Sequence, residues 1–522
     1  MLALTLITPC LLGGCTLSAA PASDADCTPG ELSCVGNVAY ICAAGSRQFL
    51  RDCTDDAMLC DASEVCVPQN LDPCEVARET RSYLGCEYYA VSTPNPLLDR
   101  REFRFGIVVA NAGNEPTTVQ VTRGENRIVE RTIAARDVAT IELPWIEEIA
   151  SMTFGSTLLH DGSYHIVSDR PVAAYQYSPL TYRREPQCER TADPLDRGCF
   201  SFTNDASLLL PVAALDSNYM VDVIAHTGDM YPSFVAVVAT ADTTVRVFPR
   251  EDIAASNEGA FDLLSAGQWH DIPMRRAETL LLAPTTGVLG GTEIAANESL
   301  LVVAGNACAY VPRGFKSCDH LEEVMLPLRT WGSYLVAAAP RSVAGEPSLL
   351  RVVSSADHNH VRFSTLTTAI ELDRGESFEL MTTDDTAITS DAPIFATQYL
   401  VGSTYFNRAS ATSDAPLLGD PAMGFVPPVA QFRREYTFVA PATYEANFVA
   451  LVSYHEDVVR LDDVEVRAWS DVAGTDFRVA RIEISSGTHR VASRLGVGVT
   501  MYAVAPFTSY LLPAGLNVEL LQ

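Results

Sequence analysis

Lysine is almost missing from this chain: Lys316 is the only one, and every other strong base is an arginine. Arginine forks favour ion pairing, but that advantage does not strip a residue type from a whole protein. A codon bias does, and it points to a high-GC bacterial source. Positive charge as a whole is scarce. The 36 Lys and Arg face 65 Asp and Glu, leaving a net charge of −29. Nucleic acid is excluded as a partner, since phosphate binding needs a basic footprint, and so is docking on anionic lipid through side chains alone. An acidic surface instead keeps an exported protein soluble. Beyond the N-terminal segment no apolar run reaches the roughly 18 residues of a membrane-crossing helix. No sustained 3.6-residue apolar period occurs, so helices should be few. The chain has no Cys-x-x-Cys, no Gly-x-Ser-x-Gly elbow, no Gly-x-x-x-x-Gly-Lys loop and no His-Glu-x-x-His. The local signatures of zinc ribbons, serine hydrolases, P-loop enzymes and zinc peptidases are thus missing.

What is present is repetition. An apolar run, a short polar turn and an alternating run read Phe234-Val235-Ala236-Val237-Val238-Ala239, Asp242-Thr243-Thr244, Val245-Arg246-Val247. The pattern returns from Phe105, from Leu350 and from Phe448. It has the signature of a β-hairpin. A second phrase, Ser168-Asp169-Arg170-Pro171 and again Ser390-Asp391-Ala392-Pro393 between β-rich runs, is turn chemistry and predicts a second hairpin. A third links units: Leu208-Leu209-Leu210-Pro211 before Tyr219, Leu326-Pro327 before Trp331 and Tyr334, Phe425-Val426-Pro427 before Tyr436.

These phrases predict an all-β domain over 87–522 with four internal repeats, 87–203, 204–319, 320–418 and 419–522. Each unit fits one β-sandwich or two four-stranded blades. Runs such as Phe234–Ala239 and Leu300–Ala304 are apolar on both faces. A half-solvated sandwich strand would alternate, so the reading leans to a propeller-like ring over tandem sandwiches.

The N-terminus carries an address. Apolar and small residues from Met1 end in Leu11-Leu12-Gly13-Gly14-Cys15, which resembles a bacterial lipobox. Residues 1–15 are read as a lipoprotein signal with Cys15 the lipidated residue, although no Lys or Arg precedes it; 16–26 are a flexible tether. The expectation is export and lipid anchoring to the bacterial envelope, with plain secretion the alternative. Cysteine use agrees, because even local clusters mark an oxidising compartment. Cys27, Cys34, Cys42, Cys53, Cys60 and Cys66 staple a small module within 27–86, and six cysteines allow 15 connectivities. Cys74 with Cys86, Cys188 with Cys199, and Cys308 with Cys318 close short loops.

One stretch carries a family likeness: Cys308-Ala309-Tyr310-Val311-Pro312, then Cys318-Asp319-His320-Leu321-Glu322-Glu323-Val324-Met325-Leu326-Pro327, then Trp331-Gly332. It resembles the N-terminal domain of IgG Fc-binding proteins, and the likeness extends over about 80 to 515 with the hairpin and Ser-Asp-x-Pro phrases. The resemblance implies an extracellular binding or adhesion domain without catalytic residues or cofactor; it does not imply immunoglobulin as ligand.

Asp319, His320, Glu322 and Glu323 form the densest polar cluster. They could hold a divalent metal, but the favoured reading is an acidic loop that anchors the next strand. Asn204 and Asp205, and Asp414 and Asp420, hold matching positions, so the acidic loops should share one face, the usual ligand surface of a repeat array. Asp357-His358-Asn359-His360 is read as a solvated turn. The leading expectation is a non-catalytic surface module binding an extracellular protein or glycan. An envelope scaffold and a secreted hydrolase are the alternatives; the hydrolase would need scattered acids or a nucleophile to converge in space.

Overall fold

The computed structural model describes residues 32–35, 38–43, 46–53, 58–61, 65–68, 72–151, 155–184, 199–225, 231–315, 318–340, 346–402, 405, 419–444 and 446–521. The segments read as signal and tether, with Cys10, Cys15, Cys27, Cys188, Lys316 and Asp414, lie outside them. The chain divides into two compact units, Met1–Asn70 and Leu71–Gln522.

The first unit pairs Leu32–Val35, Val38–Ala43 and Ser46–Asp52 in an antiparallel sheet and Met58–Asp61 with Val65–Pro68 in a second. Cys34 and Cys53 each take part in a disulfide, and Cys60 stands opposite Cys66 in register. So small a segment has little apolar surface to bury, and cross-links stand in for a core.

The second unit is built from four antiparallel sheets of seven or eight strands. Each is organised on one long spine strand: Tyr164–Ser178, Glu293–Ala309, Thr386–Leu400 and Gly487–Ala505. In the first sheet the N-terminal half of the spine pairs with Gly85–Ala90 and Thr117–Arg123, and the C-terminal half with Phe105–Ala110 and Asp205–Leu209. The other three sheets repeat that scheme.

This plan corrects two readings of the repeat. The apolar and alternating runs do not form a hairpin. Ser233–Ala239 pairs with the C-terminal half of its spine and Thr243–Phe248 with the N-terminal half. The polar turn is an arch between the halves. Burial explains the division: Ser233–Ala239 is buried at every residue, whereas Thr243–Phe248 alternates. Likewise Ser-Asp-x-Pro is a bend inside one continuous spine, where the pairing register slips between Val167 and Val172. The Ser168 hydroxyl donates to the Arg170 carbonyl at 2.7 Å, and Ser390 to Ala392 at 2.6 Å, so the serine closes the bend locally. Each unit does contain two strand groups, but the spine runs through both. The result is four curled sheets, not a ring of eight independent blades.

The link phrase forms the last strand of each sheet, paired back onto the spine: Asp205–Leu209, Asp319–Val324, Ala422–Phe425 and Thr508–Pro513. Each packs against the next in cyclic order, and the last returns to the first. The fourth copy, Tyr510-Leu511-Leu512-Pro513, lacks the aromatic residue that follows the other three phrases, which hid it as a link. After it the chain returns to the start of the unit: Tyr83 N–H donates to Leu516 O and Val518 N–H to Arg81 O. Helix is confined, among the described residues, to Pro73–Thr80, Glu147–Ala150 and one-turn segments. Asp72 caps the first helix through Cys74 N–H, and the Cys74–Cys86 disulfide ties it to the first strand.

Candidate functional site

The four link strands place the acidic cluster at the centre of the ring. Each is an edge strand of its sheet, and an edge leaves a row of N–H groups that need acceptors once buried. Carboxylates supply them. Asp205 accepts from its neighbour Ala206 N–H at 2.9 Å, and across the ring from Glu322 N–H at 3.0 Å and Met423 N–H at 3.3 Å. Asp319 accepts from Asn204 N–H at 2.8 Å and His320 N–H at 2.7 Å. Glu323 accepts from Val324 N–H at 2.9 Å and Phe425 N–H at 3.3 Å. Short acidic side chains thus stitch strands from three sheets without direct strand pairing. Gly305 shows how close the packing is: a Cβ there would meet Leu321 O at 1.8 Å.

Asp205, Asp319, His320, Glu322 and Glu323 are each 0% exposed, and Asn204 and Asp420 are buried with them. The expectation that these residues share a ligand-facing surface is therefore overturned. They converge, but inward, because the link strand ends the sheet on its inner side. Burial pushes the carboxyls of Asp205, Asp319 and Glu323 well above the usual carboxylate range; Glu322 adds to the effect on Asp205, and Asp420 to that on Asp319. The described residues hold no group of three or more His, Cys, Asp or Glu side chains able to bind a metal. The Cys308–Cys318 disulfide closes the loop leading into this strand. Cys199 is also disulfide-bonded.

Three of the junctions between sheets carry an ionic contact. Arg276 reaches Glu87 and the Tyr89 hydroxyl between the first and second sheets. Between the second and third, buried Arg351 meets Asp222 at 2.6 Å, and Arg374 grips Glu293 in a bidentate pair. Arg481 pairs with Asp385 between the third and fourth.

The described residues of the spine-to-link connections lie at one end of the ring, since each link strand runs antiparallel to its spine. Aromatic rings collect there. Phe200, Phe202 and Phe507 pack within 4.9–5.9 Å of one another, and Tyr182 lies 5.1 Å from Tyr444. Phe315 and Tyr405, from the second and third connections, meet at 4.8 Å. Phe200, Phe202, Phe315 and Tyr405 are partly exposed. Phe202 and Phe507 hold φ of 55° and 59°, a conformation costly for bulky side chains. Sequence reasoning missed this end: the aromatics lie far apart in the chain, and only the ring brings them together.

Asp357-His358-Asn359-His360 is an arch on the opposite half of the third sheet. His358 is exposed beside Glu371, and His360 contacts Asp391, while buried Asn359 bonds the Ala392 backbone and so holds the spine bend.

Residues 205–503, from the first link strand to the last spine, match the family model described as IgGFc binding protein. A human IgGFc-binding protein is 23% identical over 317 residues, which is 59% of this chain and 6% of that protein's length. An anti-sigma factor domain-containing protein from Clostridium clariflavum matches over 62% of this chain and 95% of its own at 8% identity, with a TM-score of 0.12. The family match spans more than half of the chain and takes in three of the four link strands, and the protein belongs to the IgGFc-binding protein family.

Proposed function

We propose that the chain is an exported, non-catalytic binding module that recognises a protein through the aromatic connection end of its ring. One observation carries the reading: the partly exposed aromatics of three connections gather at one end, while the acid cluster is buried and engaged in holding strands. Aromatic side chains dominate the energetics of protein interfaces. Family membership and the human relative's name support a protein partner, with an immunoglobulin Fc fragment one ligand to test. No described helix is long and apolar enough to cross a membrane; Cys15 and its lipobox support lipid anchoring to a bacterial envelope, and Cys15→Ser should release the protein from membranes. A protein and glycan array that includes Fc fragments, probed with the chain from Thr16, tests the reading. A protein hit weakened at least about 30-fold by Phe202→Ala or Phe315→Ala supports it; a hit insensitive to both, or no hit above background, counts against it.

A further inference from the structure

One group of side chains in the seam does not stitch strands. Thr93 follows the first strand of the first sheet, His320 and Glu322 sit on the second link strand, and Gln176 lies on the first spine. All four are 0% exposed. The Thr93 hydroxyl donates to Glu322 Oε2 in a short contact. His320 Nε2 lies 3.0 Å from Thr93 Oγ1 and 3.4 Å from Glu322 Oε2. Gln176 Nε2 donates to the other carboxyl oxygen, Glu322 Oε1, at 3.0 Å. Phe234 stacks on the imidazole at 5.9 Å with the planes 6° apart, fixing the ring. His320 reaches the hydroxyl through Nε2. These are the parts of an acyl-transfer site: a hydroxyl nucleophile, a base within reach of it, a carbonyl carbon, and an amide donor on the oxygen where charge would develop.

We propose that Thr93 and Glu322 become joined by an intramolecular ester, with His320 as the catalytic base. The step requires one proton shared between Glu322 Oε2 and His320 Nε2, which lie 3.4 Å apart, and runs with it on Oε2 and the Thr93 hydroxyl turned to Nε2. His320 Nε2 takes the Thr93 hydroxyl proton as Oγ1 bonds to Cδ, while Gln176 stabilises Oε1. The imidazolium then returns the proton to the departing Oε2–H group, which leaves as water. The O–H bond of Thr93 and the C–O bond of Glu322 break, an ester C–O bond and a water O–H bond form, and no oxidant or cofactor is needed. Held partners reach effective molarities on the order of 10⁵–10⁸ M, which favours the joined state once the released water has left. The bond joins residues 229 positions apart and fastens the first sheet to the second.

The test is a peptide map of the full chain after reduction and alkylation. The account expects a cross-linked pair of peptides, one holding Thr93 and one Glu322, about 18 Da lighter than their sum, the mass of one water lost on acylation. Mild hydroxylamine should separate them, and Thr93→Val should abolish the pair while Thr93→Ser keeps it. Recovery of the two peptides unlinked at full mass from the wild-type protein overturns the proposal, as does a water loss that maps elsewhere. The wild-type map decides the matter even if a variant fails to fold.

Discussion

Asp205 has the residue type and the loop context of a ligand, yet its carboxylate is spent on three backbone N–H groups. Removing it leaves them buried without an acceptor, at about 1–3 kcal/mol each. Asp205→Ala should therefore cost at least about 3 kcal/mol in denaturant unfolding, whereas Asp205→Asn, which keeps one acceptor oxygen, should cost less. A loss below 1 kcal/mol, the scale of a surface change, would mean that the seam is not held this way. The same acids set a pH dependence. Their folded pKa values are raised by burial, so the folded state holds protons more tightly than the unfolded one. That stability is fully present below the unfolded value of about 4 and is lost as pH rises through the folded pKa. The urea midpoint should be higher at pH 5 than at pH 8, and Asp319→Asn should flatten the difference. Equal pH slopes for wild type and variant would contradict the account. The cluster was legible in the sequence as acidic and as an anchor for the next strand. Its direction was not, because edge strands facing inward and outward share one local pattern.

At the scale of the element, the spine bend repeats with its own fastening. The Tyr88 hydroxyl donates to Val172 O at 2.5 Å, Tyr219 to Leu300 O at 2.7 Å and Tyr436 to Val497 O at 2.6 Å. Tyr219 and Tyr436 also accept a backbone N–H, from Asp216 and Arg433. The third sheet has Leu335 at the matching position. Tyr219→Phe and Tyr436→Phe should each cost about 1–3 kcal/mol, since each orphans a buried carbonyl and an amide; unchanged thermal midpoints would count against the tyrosines as fastenings. Period and burial told strands from loops well: Phe234–Ala239 reads as doubly covered and is. Pairing was misread because an apolar run, a turn and an alternating run are equally the pattern of a hairpin and of an arch. Nothing local says whether two strands bond each other or a third one far ahead.

For the second unit as a whole, closure depends on residues 516–518 meeting residues 81–83. Arg81 donates to Val518 O and to Ala214 O, and Arg433 meets Asn517 at 2.6 Å. A chain ending at Pro513 should keep most of its strand content but lose amide protection from Arg81 to Tyr83 and melt earlier. The fourfold repeat, and with it the family, was readable from ordered phrases. The ring was not, because its closing strand, Thr508–Pro513, lacks the following aromatic residue that marks the other links.

The central claim is that the acidic link strands form an internal seam and not a ligand face. Residue-resolved hydrogen exchange tests it most directly. Each of the amides of Ala206, Glu322, Met423 and Phe425 is paired here with a carboxylate. The account predicts that they exchange as slowly as the core strand Ser233–Ala239, opening only with global unfolding. Exchange at the rates of exposed loops would contradict it.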